Sequence, residues 1–363
     1  MARPRSEANK GLPLRWRYVH GAYYYQVPKG SEALWDDKSL FRLGTKLHEA
    51  YQVWANRLTR IENVTTINKL LDRYSAEVIP TKAAASRTSN IEQVKHIRAH
   101  FGERPLDPFP PRLVYQYVDQ RSVKVTDPKT KRVTGGRIAA HREIELLSHA
   151  FTKAVEWGYI DRHPFKNEVR LTGEAPRDRY IEDWEIIEVL ALEAFRSSGS
   201  VLMIQAYIRI KLLTGMAQGD LLRLTEVNLQ ADGIHNQRHK TKGTTAKKTI
   251  YTWSDELRDA VAAAKEARTN KSSEFLFCNK DGECYINEET GKAPGWKSMW
   301  QRFMARVLKE TKVTEHFTEH DLRAKVASDA ATLEHARSLL AHADSRTTDK
   351  IYRRKAERVE PLR

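Results

Sequence analysis

The sequence predicts a multidomain chain, mainly α with small β-sheets, and three observations carry that reading. At 363 residues the chain exceeds the usual span of a single domain. Short aromatic runs punctuated by glycine and proline fill its N-terminal stretch, whereas helical periodicity dominates the remainder. A polar, aperiodic segment at residues 167–179, with Arg170, Gly173 and Pro176, then separates two helix-rich regions. The expected organisation is a small three-stranded sheet plus helix at 1–62, a helical domain at 63–166, the linker, and a mixed α/β domain at 180–363.

Residues 1–15 read as a polar, basic tail that is disordered without a ligand, carrying Arg3, Arg5, Lys10 and Arg15 against Glu7. Strands are expected at 16–20 and 22–27, joined by His20-Gly21 and enriched in Tyr23, Tyr24 and Tyr25. These aromatics read as core before they read as a DNA contact. A third strand at 39–43 closes at Gly44, and Thr45 can cap a helix to 58 with Leu47, Ala50, Tyr51 and Trp54 on one face. In the second region, helices are expected from Ile67 to near Pro80, from 89 to 101, from after Pro110-Pro111 to about 121, and from 137 to 157. The last carries an apolar stripe of Ile138, Ile144, Leu147, Phe151, Ala154 and Val155. Between them, residues 122–136 read as a basic loop with Lys124, Lys129, Lys131 and Arg132. In the third region, helices are expected at 181–195, 201–216, 255–268, 296–308, 321–332 and 333–340. Residues 234–250, rich in Lys, Thr and Gly, read as a basic hairpin.

The formal net charge of +15 points to a polyanionic partner, nucleic acid first. Two cysteines, Cys278 and Cys284, flank an Asn-Lys-Asp-Gly turn, and no second pair completes a zinc site; both are expected as reduced thiols. The most apolar helix, 201–216, is interrupted by Gln205, Arg209 and Lys211, so no stretch is expected to span a membrane. The Arg- and Pro-rich start has no signal-type apolar core.

Metal-free cleavage of a DNA phosphodiester needs a nucleophile, cationic donors for the non-bridging oxygens, and an acid for the departing oxygen. Tyr, Arg, His and Lys are side chains that fit those roles. His320-Asp321-Leu322-Arg323 places a histidine and an arginine three apart, on one helix face. That pair alone is weak. It is followed by Leu339-Leu340-Ala341-His342, then Thr347-Thr348, then Tyr352, ten residues after His342. Upstream stands Leu213-Thr214-Gly215-Met216-Ala217-Gln218-Gly219-Asp220-Leu221-Leu222, and the hairpin carries His239-Lys240-Thr241-Lys242-Gly243.

In this order and spacing the chain resembles the tyrosine recombinases, the phage-integrase family. The resemblance extends through residues 154–165 to the N-terminal region, which is similar to the arm-DNA-binding domain of lambda-type members. It implies a helical core-binding (SAM-like) domain at 63–166 and a mixed α/β catalytic domain at 180–363. It also implies the roles. Tyr352 would attack the phosphate and form a 3′-phosphotyrosyl link, Arg323 would hold phosphate oxygens, His320 would assist proton transfer, and His342 would donate to the phosphate. Asp220 would support the site. Lys242 would protonate the 5′ oxygen, with Lys240 as the alternative. Arg3, Arg5, Lys10, Arg15, Lys129, Lys131, Arg132 and Lys240 would contact DNA.

The resemblance further implies double-stranded DNA with core and arm sites, a homo-tetramer on a Holliday junction, a host bending protein and an excisionase as partners. No cofactor or metal is implied, and the place of action is a bacterial host's cytoplasm, at the nucleoid. One position departs: Ala217 stands where the family carries its first arginine. Losing such a donor costs about 10²–10³ in rate, so impaired cleavage is expected. A deliberate substitution is favoured over natural loss, because the other positions are intact. A catalytically inactive DNA-binding or architectural relative is the alternative. A type IB topoisomerase is disfavoured by the arm-like N-terminal region and the short tail after Tyr352.

Overall fold

The computed structural model describes all residues except 1–8, 10, 29–31, 59–63, 127, 129–132, 174, 176, 240–247, 357–361 and 363. The chain divides into two compact units, residues 1–174 and 175–363.

In the first unit, β1 (Trp16–Val19), β2 (Ala22–Gln26) and β3 (Leu40–Gly44) form an antiparallel sheet in that order. His20 (φ 50) and Gly21 (φ 73) make the β1–β2 turn, the paired positive φ that a two-residue hairpin loop requires. Helix α1 (Leu47–Leu58) packs Tyr51 and Trp54 against Trp16, with Trp16 and Trp54 edge-to-face at 5.7 Å. Tyr25 is buried with them, while Tyr18 is exposed. The expected tail is shorter than residue 15, because Leu12 and Pro13 are buried against this core. Arg15 is exposed, and its main-chain oxygen accepts from the Gln26 amide at 2.8 Å. Arg3, Arg5 and Lys10 lie outside the described residues.

The helical part comprises α2 (Ile67–Glu77), α3 (Ala84–Phe101), α4 (Arg112–Ser122) and α5 (Arg137–Glu156) around Leu70, Phe101, Val114, Leu147 and Phe151. Helix α3 starts five residues before the expected 89, since Ala84 and Ala85 carry the highest helix propensity and override the Ser89 start signal. Buried charges are paired: Arg98 with Asp72, and Arg121 with Glu143 at 2.9 Å. The expected loop at 122–136 is closed at its base by a short antiparallel pair, β4 (Val125–Thr126) with β5 (Val133–Thr134). Lys129, Lys131 and Arg132 lie outside the described residues.

The second unit is built on α7 (Ser200–Thr214), which packs on α9 (Asp255–Ala267), α10 (Pro294–Glu310) and α11 (Glu319–Asp329). Its core centres on Tyr207, Phe277, Trp296, Phe303 and Phe317, with Tyr207 and Trp296 rings 4.7 Å apart. Helix α6 (Asp183–Leu190) ends short of the expected 195. The Gln205 amide donates to the carbonyls of Val189, Leu190 and Leu192 at 3.3, 3.1 and 2.9 Å, satisfying the groups a helix end leaves open. The polar interruption of the apolar helix is therefore a buried cap.

A short α8 (Gln218–Leu221) precedes an antiparallel sheet of β6 (Leu229–Gln230), β7 (Gly233–Gln237) and β8 (Lys248–Thr252). This is the expected hairpin, though its tip, 240–247, lies outside the described residues. Cys278 and Cys284 are free thiols. The chain continues through α12 (Leu333–Leu339), α13 (Ser345–Thr347) and a π-helical turn, Thr348–Tyr352. Among the described residues, no helix is long and apolar enough to cross a membrane.

Candidate active site

Helix α11 begins with a reciprocal cap in which Asp321 accepts from the Thr318 amide and hydroxyl, both at 2.8 Å. That start sets His320 and Arg323 one helical turn apart on the face towards Tyr352. His320 Nε2 lies 3.0 Å from the Tyr352 hydroxyl, and the rings are 4.8 Å apart. The Arg323 guanidinium sits 5.6 Å from the Tyr352 ring centre, and the His342 ring 5.0 Å from it. His320, Arg323, His342 and Tyr352, spread along the end of the chain in sequence, therefore meet around one phenol.

Arg323 is buried, and main chain holds it from two sides. One nitrogen donates to Gly215 O; another donates to Leu340 O at 2.5 Å and to His342 Nε2 at 3.1 Å. Gly215 ends α7 in the left-handed region (φ 65), and a Cβ there would lie 3.1 Å from Leu340 and Val326 carbons. Burial pushes the Arg323 guanidinium below its ordinary value, Tyr352 and Tyr251 push back, and Arg238 adds to the fall. His342 Nδ1 lies 2.8 Å from the buried Thr348 hydroxyl. Arginine only donates, so neutral His342 accepts at Nε2 and donates from Nδ1. The Thr347-Thr348 pair noted in sequence thus contributes a histidine anchor at its second member.

Asp220 is buried on α8, and its Oδ1 accepts from the His239 amide at 2.8 Å. It ties α8 to the root of the hairpin. Ala217 is half-buried at the N-cap of the same helix, offering only a methyl group. Gln218, beside it, donates to Glu319 at 2.8 Å and is thereby engaged elsewhere. Lys240 and Lys242, the alternative general acids, lie outside the described residues.

Three further residues were not legible as site residues. Arg354, which reads in sequence as part of a basic tail, donates to Asp321 at 2.6 Å, to Arg179 O at 3.0 Å and to His320 Nδ1 at 3.3 Å. Its donation leaves neutral His320 with its proton on Nε2, facing the phenol. Burial lowers the His320 pKa, and Arg354 adds to the fall. Burial raises the Asp321 carboxyl, but Arg354, Thr318 and Arg177 outweigh it and hold it below its ordinary range. Lys211, read only as an interruption of an apolar helix, is 1% exposed. Its ammonium donates to Met216 O at 3.0 Å and Tyr207 Oη at 3.2 Å, and burial pulls its pKa down to about 8. Arg238, read only as hairpin charge, donates to Ala341 O at 3.2 Å.

Sequence comparison assigns the second unit to a class of protein. Residues 191–358 match the profile of the phage integrase family. That stretch, most of the second unit, belongs to the family, the tyrosine recombinases. No curated protein matches it. Among solved structures it is similar to a lambda integrase tetramer bound to a Holliday junction, at 18% identity and TM-score 0.57 over 92% of this chain and 97% of that one. A lambda integrase dimer bound to a core site aligns over 99% of both chains, at 17% identity and TM-score 0.58. The Tn1549 transposon integrase in complex with circular-intermediate DNA aligns over 78% of this chain and 94% of that one, at 15% identity and TM-score 0.56.

Proposed function

We propose that this chain is a site-specific DNA recombinase of phage or mobile-element type, working through a 3′-phosphotyrosyl intermediate. The observation that carries the reading is the Tyr352 phenol held 3.0 Å from His320 Nε2 beside the buried Arg323 guanidinium. In this reading Tyr352 Oη attacks the scissile phosphorus and loses its proton to solvent as the P–O bond forms. His320 Nε2–H holds the developing phenolate. Arg323 takes the non-bridging oxygens, and a phosphate there replaces its contact with His342. Once protonated, His342 donates from the freed Nε2. The 5′ oxygen leaves with a proton from Lys242 or, alternatively, Lys240. In the second step a 5′ hydroxyl attacks the same phosphorus, and the phenol is regenerated.

The domain assignment is part of the proposal: residues 1–62 for arm DNA, 63–166 and 180–363 for the core site, with 167–179 between. Arg3, Arg5, Lys10, Arg15, Lys129, Lys131, Arg132 and Lys240 are proposed DNA contacts, supported by the net charge of +15. A homo-tetramer on a Holliday junction is supported by the lambda integrase assembly. A host bending protein and an excisionase complete the proposed partners.

Ala217 removes a planar, charged fork from the site. We assign it a loss of about 10²–10³ in cleavage rate relative to an arginine at that position. The same residue favours the second reading, a DNA-binding relative that has lost catalysis. A covalent-trapping assay separates the two, using nicked suicide duplexes tiled across the DNA flanking the gene. The expected result is a slow adduct, accelerated by Ala217→Arg and abolished by Tyr352→Phe. Tight binding without an adduct from either version would overturn the recombinase reading in favour of the second.

A further inference from the structure

The gap left at position 217 has a neighbour of the right chemistry. Arg238 comes directly after β7, where the chain leaves the sheet for the hairpin. Two contacts fix its place. The next residue, His239, gives its amide to Asp220 Oδ1 at 2.8 Å, and Asp220 lies three residues after Ala217 on the short α8. The Arg238 guanidinium donates to Ala341 O at 3.2 Å, the carbonyl immediately before His342. Arg323 donates to the preceding carbonyl, Leu340 O, at 2.5 Å. The two guanidinium groups therefore occupy consecutive carbonyls of one turn, in which Ala341 is held at φ 50. Arg238 thus spans the interval between the helix that lacks its arginine and the turn that carries His342.

Among the described residues, no carboxylate neutralises this second cation: Arg238 has a main-chain carbonyl as its partner and no carboxylate within ion-pair distance. It is half-buried, whereas Arg323 is buried. The charge is felt at the site, since Arg238 is among the groups that disfavour the Arg323 cation. Two like charges brought together on neutral acceptors cost stability unless an anion joins them. A phosphodiester with two non-bridging oxygens is the anion that geometry and charge call for.

We propose that Arg238 is a catalytic residue of this chain, supplying from the sheet the second phosphate-directed guanidinium that position 217 lacks. The assignment rests on the recombinase reading above. It implies that the cleavage remaining with Ala217 runs through Arg238.

The test is a double-mutant cycle in the full chain with the same nicked duplexes, measuring adduct rate and, separately, duplex affinity. Arg238→Ala is expected to lower the adduct rate by about 10²-fold in the chain as it stands, and by less than about 5-fold when Ala217→Arg is also present. Arg238→Lys, which keeps charge but loses the fork, is expected to fall between the two. An Arg238→Ala rate within about 3-fold of the parent would overturn the proposal. So would an equal loss in both backgrounds, because a structural role is not rescued by a charge at 217. Absence of adduct from every version, Ala217→Arg included, would overturn the recombinase reading and this proposal with it. Adduct from the Ala217→Arg chain, with a parent rate that ignores Arg238, would overturn this proposal alone.

Discussion

Replacing Lys211 with methionine removes a charge from the driest part of the second unit while keeping the length of the side chain. In the parent the ammonium is 1% exposed and held by two neutral oxygens, Met216 O at 3.0 Å and Tyr207 Oη at 3.2 Å. The pKa falls from 10.5 to about 8, chiefly through burial. At about 1.36 kcal/mol per pH unit, that gap is roughly 3 kcal/mol. The sign comes from proton counts. Between about 8 and 10.5 the unfolded chain binds this proton and the folded chain does not. Parent stability therefore rises with pH across that window, and the full cost is present below it. The methionine variant loses the cost but leaves Met216 O without its donor, a penalty of about 1–3 kcal/mol.

Near neutral pH the variant should match or exceed the parent by up to roughly 2 kcal/mol, a few degrees in melting temperature for a unit of this size. Above pH 10.5 the parent should be the more stable by the lost hydrogen bond. Thermal melts of both full chains, monitored by tryptophan fluorescence at several pH values, read the crossing directly. Parallel pH profiles would refute the reasoning, since they would mean that Lys211 titrates at an ordinary value. The variant should also cleave more slowly, because the ammonium lies under the turn that holds Arg323 through Gly215 O and carries Ala217.

The geometry makes other outcomes testable. Arg354→Gln should lower the adduct rate by about 10-fold or more with duplex affinity unchanged, and Arg354→Lys should recover part of it; equal affinity losses would show a DNA contact instead. Cleavage should decline as pH drops below the ordinary histidine value of 6.5, because a protonated His320, favoured only below that value, can no longer accept from Arg354 and loses the contact that orients it, and His320→Asn should flatten that limb of a pH–rate profile. Gly215→Ala should destabilise the second unit by more than about 1 kcal/mol and slow cleavage, since it forces a Cβ onto φ 65 and disturbs the carbonyl that Arg323 uses. Trp296→Ala should cost about 3–5 kcal/mol in denaturant unfolding of the second unit, being fully buried against Tyr207 and Phe277.

The grouping of the candidate site was legible in sequence wherever it rests on local spacing. His320 and Arg323 share a helix face because they are one turn apart, and Tyr352 comes a short interval after the His342 motif. What sequence could not disclose depends on contacts between distant segments. Gln205, Arg209 and Lys211 look alike as interruptions of an apolar helix, yet Gln205 caps α6, Lys211 is buried beneath the site, and Arg209 is exposed. Arg354 looks like one of several tail cations until Asp321, 33 positions upstream, accepts its fork. The early end of α6 has the same origin, since a side chain from another helix supplies the cap.

Arg354 is paired with Asp321, but three other cations of this site rest on peptide oxygens: Arg323 on Gly215 and Leu340, Arg238 on Ala341, Lys211 on Met216. A carbonyl satisfies a donor without cancelling its charge. Without a bound anion, these three groups therefore carry a mutual repulsion that opposes folding of the second unit. An anion that bridges these groups relieves it, so binding at the scissile phosphate contributes to the stability of the fold as well as to the chemistry. In the proposed reading DNA is in that sense a folding partner of this protein, and a chain released from its product would return to its less stable state.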